Sequence, residues 1–206
     1  MIAAILLAAG ESRRMGFPKA LLPYPLEGGG ETTFLERLLH VFARSKAAPL
    51  LVVLGHDAAR IRAAVDWGGS EARIVLNERY REGMLSSIRA GIEAVEAMND
   101  PRIEGALVHP VDTPSVSAEV VDRVIETFEQ TRRPIVLPLH GGRRGHPVLF
   151  ARALFDEIRR APDGVGARRV VWDHERDLLE VEVPDPGIHR DVDTPEDYRR
   201  FREGTE

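Results

Sequence analysis

Three short apolar runs constrain this chain more than any other feature. Residues 2–7 (IAAILL), 50–54 (LLVVL) and 106–108 (ALV) stay apolar at consecutive positions instead of alternating. A strand with one wet face alternates; an unbroken run bounded by Gly, Pro or Asp is covered on both faces, as in a parallel sheet between helices. The segments between them have helical period. Phe34, Leu35, Leu38, Leu39 and Phe42 recur at three and four residues, as do Ile88, Ile92 and Val95, then Val120, Val121, Val124, Ile125 and Phe128. Ser117 is placed to cap the last of these, with Glu119 and Asp122 near its positive end. Further strands are expected at 135–138 and 178–183. A final short helix should start at Thr194-Pro195-Glu196, where Thr caps and Pro suits the first helical position. The pattern predicts an α/β fold with a mostly parallel sheet and right-handed crossovers. A length of 206 residues suits a single domain, 1–206, with a two- or three-layer core.

Composition removes several function classes. A net charge of −5 gives no general attraction to nucleic acid or an anionic membrane, so local groups of arginine matter more than the total. The absence of cysteine excludes disulfides, zinc-thiolate sites and thiol nucleophiles. Residues 2–9 lack a preceding basic stretch and run into Glu11, Arg13 and Arg14, which favours a buried first strand over a secretory signal. No apolar stretch approaches the roughly 20 residues that span a bilayer. A cytoplasmic protein is expected.

In open α/β sheets, ligands collect beyond the carboxyl ends of the strands. "LAAGESRRMGFPK" follows the first strand, "HPVDTPSV" follows the run at 106–108, and "HRDVDTPEDY" precedes the last helix. In the first loop, Ala8, Ala9 and Gly10 leave the backbone bare for close approach by an anion. Gly10 and Gly16 tolerate conformations a branched residue resists. Arg14 and Lys19 can then neutralise a chain of phosphates. The loop is neither a Walker loop nor G-x-G-x-x-G. A plain strand-to-helix turn with exposed basic residues is the alternative. Asp112 and Asp193 carry hard oxygen donors suited to a divalent ion, yet each also stands where Asp commonly starts a turn or helix.

The first loop resembles the signature LAAG-x-S-x-RMG-x-x-K of the MobA-like nucleotidyltransferases, closest to the molybdenum cofactor cytidylyltransferase branch. "EGMLSSIRAGI", "HPVDTP", "GHPVLF" and "DVDTPEDY" continue the likeness in order, so it covers the chain from Ile2 to about Tyr198. The resemblance implies a Rossmann-like three-layer fold. It also implies magnesium-dependent transfer of a nucleoside monophosphate from an NTP to a phosphorylated acceptor, with release of pyrophosphate. It places Leu7, Ala8, Ala9, Gly10 and Gly16 around the nucleotide, and Arg14 and Lys19 on the triphosphate. Asp112 and Asp193 become metal ligands, with Asp191 in reserve for the second. Gly83, Ser86 and Ser87 fall at the base; helix capping by these serines is the alternative. Ala-Ala-Gly in the first loop leans towards CTP.

Arg143, Arg144 and His146 in "GGRRGHPVLF" are candidates for the acceptor, which the resemblance names as molybdopterin; a basic loop without that role is the alternative. Arg13 reads as a solvated neighbour, His56 and His109 as local hydrogen-bonding residues, and Trp67 and Trp172 as packing residues. The glycine-rich insert "PLEGGGETTF" is long for the pattern. Two other functions stay open: transfer to another small phosphate (sugar, polyol or phospholactate), and a nucleotide-binding module that serves a molybdoenzyme without turnover.

Overall fold

The first run, β1 (Ile2–Ala8), is buried at every position and lies inside an eight-stranded sheet. The computed structural model describes residues 1–68, 71–163 and 168–204. After β1 come a hairpin of β2 (Pro23–Pro25) and β3 (Glu31–Thr33), α1 (Phe34–Ala43), β4 (Leu50–Leu54), α2 (Ala58–Ala64) and β5 (Arg73–Leu76). Next are α3 (Met84–Glu96), β6 (Gly105–Pro110), α4 (Ala118–Thr131), β7 (Ile135–His140), β8 (Arg143–Arg144) and β9 (Val148–Ala151). The chain ends with α5 (Phe155–Arg160), α6 (Arg168–Asp173), β10 (Leu179–Glu182) and α7 (Pro195–Glu203).

The sheet order is β10-β7-β9-β6-β1-β4-β5, with β8 paired to β7. β1 pairs in parallel with β4 and β6, β4 with β5, and β7 with β10. Alternate side chains of β1 enter different cores, as the pleat requires. Ala4 and Leu6 pack with Leu35, Leu38, Val120 and Val124 of α1 and α4 on one face. Ala3, Ile5 and Leu7 pack with Ile88, Ile92 and Ile158 of α3 and α5 on the other. Three layers result, and the mostly parallel α/β reading holds. At Gly91 a Cβ would stand 2.5 Å from Ile5 Cγ2; only the missing side chain lets α3 lie this close to β1.

The expected caps are present: Ser117 accepts from the Val120 N–H, and Thr194 forms a reciprocal capping box with Asp197. The differences lie elsewhere. β9 runs antiparallel between β6 and β7, and hydropathy carries no information on strand direction. The strand expected at 178–183 is shorter, and that at 135–138 extends to His140. The long insert forms the β2–β3 hairpin, closed by mutual bonds of Leu26 with Gly29 and Gly30. Trp67 packs partly against the core, but Trp172 is 60% exposed and so is not a packing residue. No helix among the described residues is long and apolar enough to cross a membrane.

Candidate active site

The register of β1 and β6 pairs Leu7 with Pro110, so the loops that leave these two strands emerge side by side. The Val111 N–H donates to the Leu7 carbonyl at 3.0 Å, and the Val192 N–H donates to the Asp112 carbonyl at 2.9 Å. These two main-chain bonds bring Asp112 and Asp193 to the mouth of the first loop. Thr194 and Asp197 satisfy each other at the start of α7, which leaves the Asp193 carboxylate for other partners.

Those partners are cations. Lys19 Nζ lies 2.9 Å from Asp112 Oδ2 and 2.5 Å from Asp193 Oδ1, and Arg14 reaches Asp193 Oδ2 at 2.9 Å. Lys19 is 11% exposed, against 68% for Arg14. Burial alone would raise the Asp193 pKa; the hydrogen bond and charge of Lys19, with those of Arg14, outweigh it and hold the carboxyl below its ordinary value. Ser12, in the left-handed region at φ 50°, turns the loop. Its carbonyl accepts from the N–H groups of Met15 and Gly16, and its Oγ accepts from the Lys19 N–H at 3.1 Å. Gly16 completes that turn with φ 72°, whereas Gly10 has no positive φ.

The cluster stands in a cleft of about 660 Å³. Its lining includes Leu7, Ala8, Ala9 and Gly10 with Arg14 and Lys19, and Gly83, Met84 and Ser87. Asp112, Asp191, Asp193, His146 and Arg168 also line it. Four expected residues stand outside this lining: Gly16, Ser86, Arg143 and Arg144. Gly16 shapes the loop through its positive φ and its N–H bond to the Ser12 carbonyl. Ser86 Oγ turns to the Gly83 carbonyl at 2.8 Å and the Arg79 carbonyl at 2.9 Å. Arg143 is exposed on β8, and its neighbour Arg144 is bound by Glu175 and Glu180. Arg13 is 80% exposed and pairs with Glu11.

Asp191 Oδ1 accepts the Thr113 hydroxyl at 2.8 Å. His109 is fully buried below the cleft, its Nε2 2.9 Å from the Thr113 carbonyl and its ring 6.2 Å from that of His146. Burial, then the His146 ring, push the His109 imidazole down to about 3. It is therefore neutral. A carbonyl only accepts, so Nε2 carries the proton, and Nδ1 has no partner among the described residues.

Sequence reasoning missed Ser12, Asn77, Thr113 and Arg168. Ser12 is the serine inside the quoted loop motif and was open to detection there. Asn77 follows β5, whose exposed Arg73 and Leu76 mask its strand pattern, so nothing marked it.

Among the described residues, no group of three or more His, Asp or Glu side chains is placed to hold a metal by itself. Asp112 and Asp193 nonetheless converge on one cation, Lys19 Nζ. Two hard carboxylates with room beside them suit a divalent ion that completes its shell with phosphate oxygens and water.

Residues 4–178 match the model of the MobA-like NTP transferase domain. The chain belongs to that family. It is a nucleotidyltransferase by membership, as the resemblance carried by the first loop and the motifs downstream of it implied. It is 26% identical over 204 residues to "Molybdenum cofactor cytidylyltransferase" of Escherichia coli (strain K12), covering 98% of this chain and 96% of that one. It is 30% identical over 202 residues to "Probable molybdenum cofactor guanylyltransferase" of Mycobacterium avium (strain 104), covering 96% and 93%. The crystal structure of Rv0371c from Mycobacterium tuberculosis H37Rv in complex with manganese superposes with a TM-score of 0.77, at 31% identity over 98% of this chain and 97% of that one.

Proposed function

We propose that this MobA-like transferase, acting as one domain, transfers CMP from CTP to the phosphate of molybdopterin and releases pyrophosphate with the aid of magnesium. The observation that carries the reading is the Lys19 ammonium held between Asp112 and Asp193 at the edge of a bare-backbone loop. In the reaction an acceptor phosphate oxygen forms a bond to the α-phosphorus while the bond to the β-phosphate oxygen breaks. Two anions must approach and charge must spread onto the leaving pyrophosphate, so catalysis rests on positioning and electrostatic stabilisation.

The main-chain N–H groups from Ala8 to Gly10 receive the triphosphate. Lys19 and Arg14 turn from the carboxylates to the phosphates as the nucleotide enters. Asp112 and Asp193 would hold the metal, which would supply positive charge to offset that of the phosphate oxygens. Asp193 is preferred to Asp191 because its two oxygens face the cation cluster, whereas an Asp191 oxygen is taken by Thr113. Gly83 and Ser87, which line the cleft, receive the base, and His146 with Arg168 faces the acceptor.

CTP is supported by Ala9 in the first loop and by the cytidylyltransferase relative. The guanylyltransferase relative, at 30% identity, makes GTP the competing nucleotide. The deciding experiment measures pyrophosphate release from CTP, GTP, ATP and UTP with magnesium, with and without molybdopterin, in wild type and Asp112→Ala. Release with CTP and molybdopterin alone, lost in the variant, is expected. Release with GTP instead would reassign the nucleotide, and no release with molybdopterin would remove the acceptor.

A further inference from the structure

Asn77 is buried at the end of β5, and its amide has one permissible orientation. Oδ1 lies 2.9 Å from the Arg79 main-chain N–H. An N–H only donates, so the amide oxygen must face Arg79 and the amino group must face the other way. There Nδ2 donates to Ser86 Oγ at 2.8 Å and to Ser87 Oγ at 3.0 Å. Each serine hydroxyl has one proton to place. That of Ser86 goes to the main chain, at the Gly83 or Arg79 carbonyl. The Ser87 hydroxyl has no protein acceptor among the described residues, and Ser87 lines the cleft where Ser86 does not.

From this arrangement we infer that Asn77 is a positioning residue for nucleotide selection, fixing Ser87 as a hydrogen-bond donor aimed at an acceptor atom on the base. The inference rests on the CTP reading and extends it. Cytosine offers O2 and N3 as acceptors on its pairing edge. A guanine edge that brought N1–H and the N2 amino group to the same point would set donor against donor. A site built around one polar contact rejects an analogue that leaves it unpaired far more strongly than an apolar pocket rejects a missing methylene. Asn77 supplies that discrimination without touching the base.

The test is Asn77→Asp, which keeps the shape but replaces the Nδ2 donor with a carboxylate oxygen that draws the Ser87 proton to itself. Binding of CTP and of inorganic tripolyphosphate, each with magnesium, is measured by calorimetry in wild type, N77D, S87A and the double variant. CTP affinity should fall by about tenfold or more in N77D, tripolyphosphate affinity should not change, and N77D should cost nothing further once Ser87 is alanine. Unchanged CTP binding, an equal loss for tripolyphosphate, or a loss that persists in the S87A background would each overturn the assignment. If N77D does not fold, Asn77→Ala replaces it, and its CTP loss must likewise vanish in the S87A background. A wild-type preference for GTP would sink the cytidylyl reading separately. The same coupling is then read with GTP: its presence keeps the positioning role, and its absence removes it.

Discussion

Two loops of the molecule carry paired basic residues and use them in opposite ways. After β1, Arg14 and Lys19 are bound by Asp193 and Asp112, carboxylates of the cleft itself. In the segment that carries β8, Arg144 is bound by Glu175 at 2.5 Å and Glu180 at 2.6 Å, and Arg143 is exposed. A cation held by site carboxylates can exchange them for phosphate when a metal takes its place. A cation held by two surface glutamates is tied to the scaffold. Both loops carry a pair of cations, and the identity of the facing carboxylate separates them.

Lys19→Met should separate them most sharply. The ammonium is nearly buried and meets both proposed metal ligands, so its loss removes charge stabilisation where the leaving pyrophosphate forms. Pyrophosphate release should fall about 10²–10³-fold, the usual cost of one preorganised transition-state donor. Near-normal turnover in this variant would erase the contrast between the two loops.

The contrast was half legible in the sequence. The first loop is contiguous, so its bare residues and two cations could be read as a unit, and Thr194 as a cap predicted that Asp193 would be released from capping. The fate of Arg144 could not be read, because the glutamates that bind it lie 31 and 36 residues away and reach it through the pairing of β8 and β10 with β7. Ser86 and Ser87 are adjacent and chemically identical, and both meet the buried Asn77; only the fold shows that Ser86 bonds the main chain while Ser87 lines the cleft. The parallel strands β1, β4 and β6 were visible as unbroken apolar runs, whereas the parallel β5, with its exposed Arg73 and Leu76, was not. The antiparallel β9 was not, since an apolar run does not encode direction.

His109 is fully buried, its ring 6.2 Å from that of the half-buried His146, and acid should act there. The folded pKa of His109 is depressed to about 3 from 6.5, so the unfolded chain binds the proton more readily. The stability this group contributes is complete above about pH 6.5 and is lost as pH falls towards 3. The slope is at most about 1.4 kcal/mol per pH unit. Denaturant midpoints measured from pH 7 to pH 5 should decline in wild type and decline less in His109→Gln. Identical slopes would show that His109 does not govern acid sensitivity.

Arg14→Ala should have a smaller effect than Lys19→Met. Arg14 is 68% exposed, so water screens much of its charge, and its loss should raise the nucleotide KM roughly tenfold through one charge-assisted contact. An effect as large as that of Lys19→Met would mean that Arg14 closes onto the phosphates and leaves solvent when they bind.

Arg144→Ala should do least, and it tests the comparison from the other side. Its ion pairs raise its pKa further, but at 38% side-chain exposure they are worth less than about 1 kcal/mol to stability. The acceptor KM should stay at the wild-type value, because Glu175 and Glu180 keep the guanidinium from the cleft. A severalfold rise in acceptor KM with an unchanged nucleotide KM would show that the acceptor's phosphate outcompetes two glutamates for Arg144. Both loops would then work by the same exchange of a carboxylate for a phosphate, and the difference between them would be one of timing: the first loop opening for the nucleotide and the second for the acceptor.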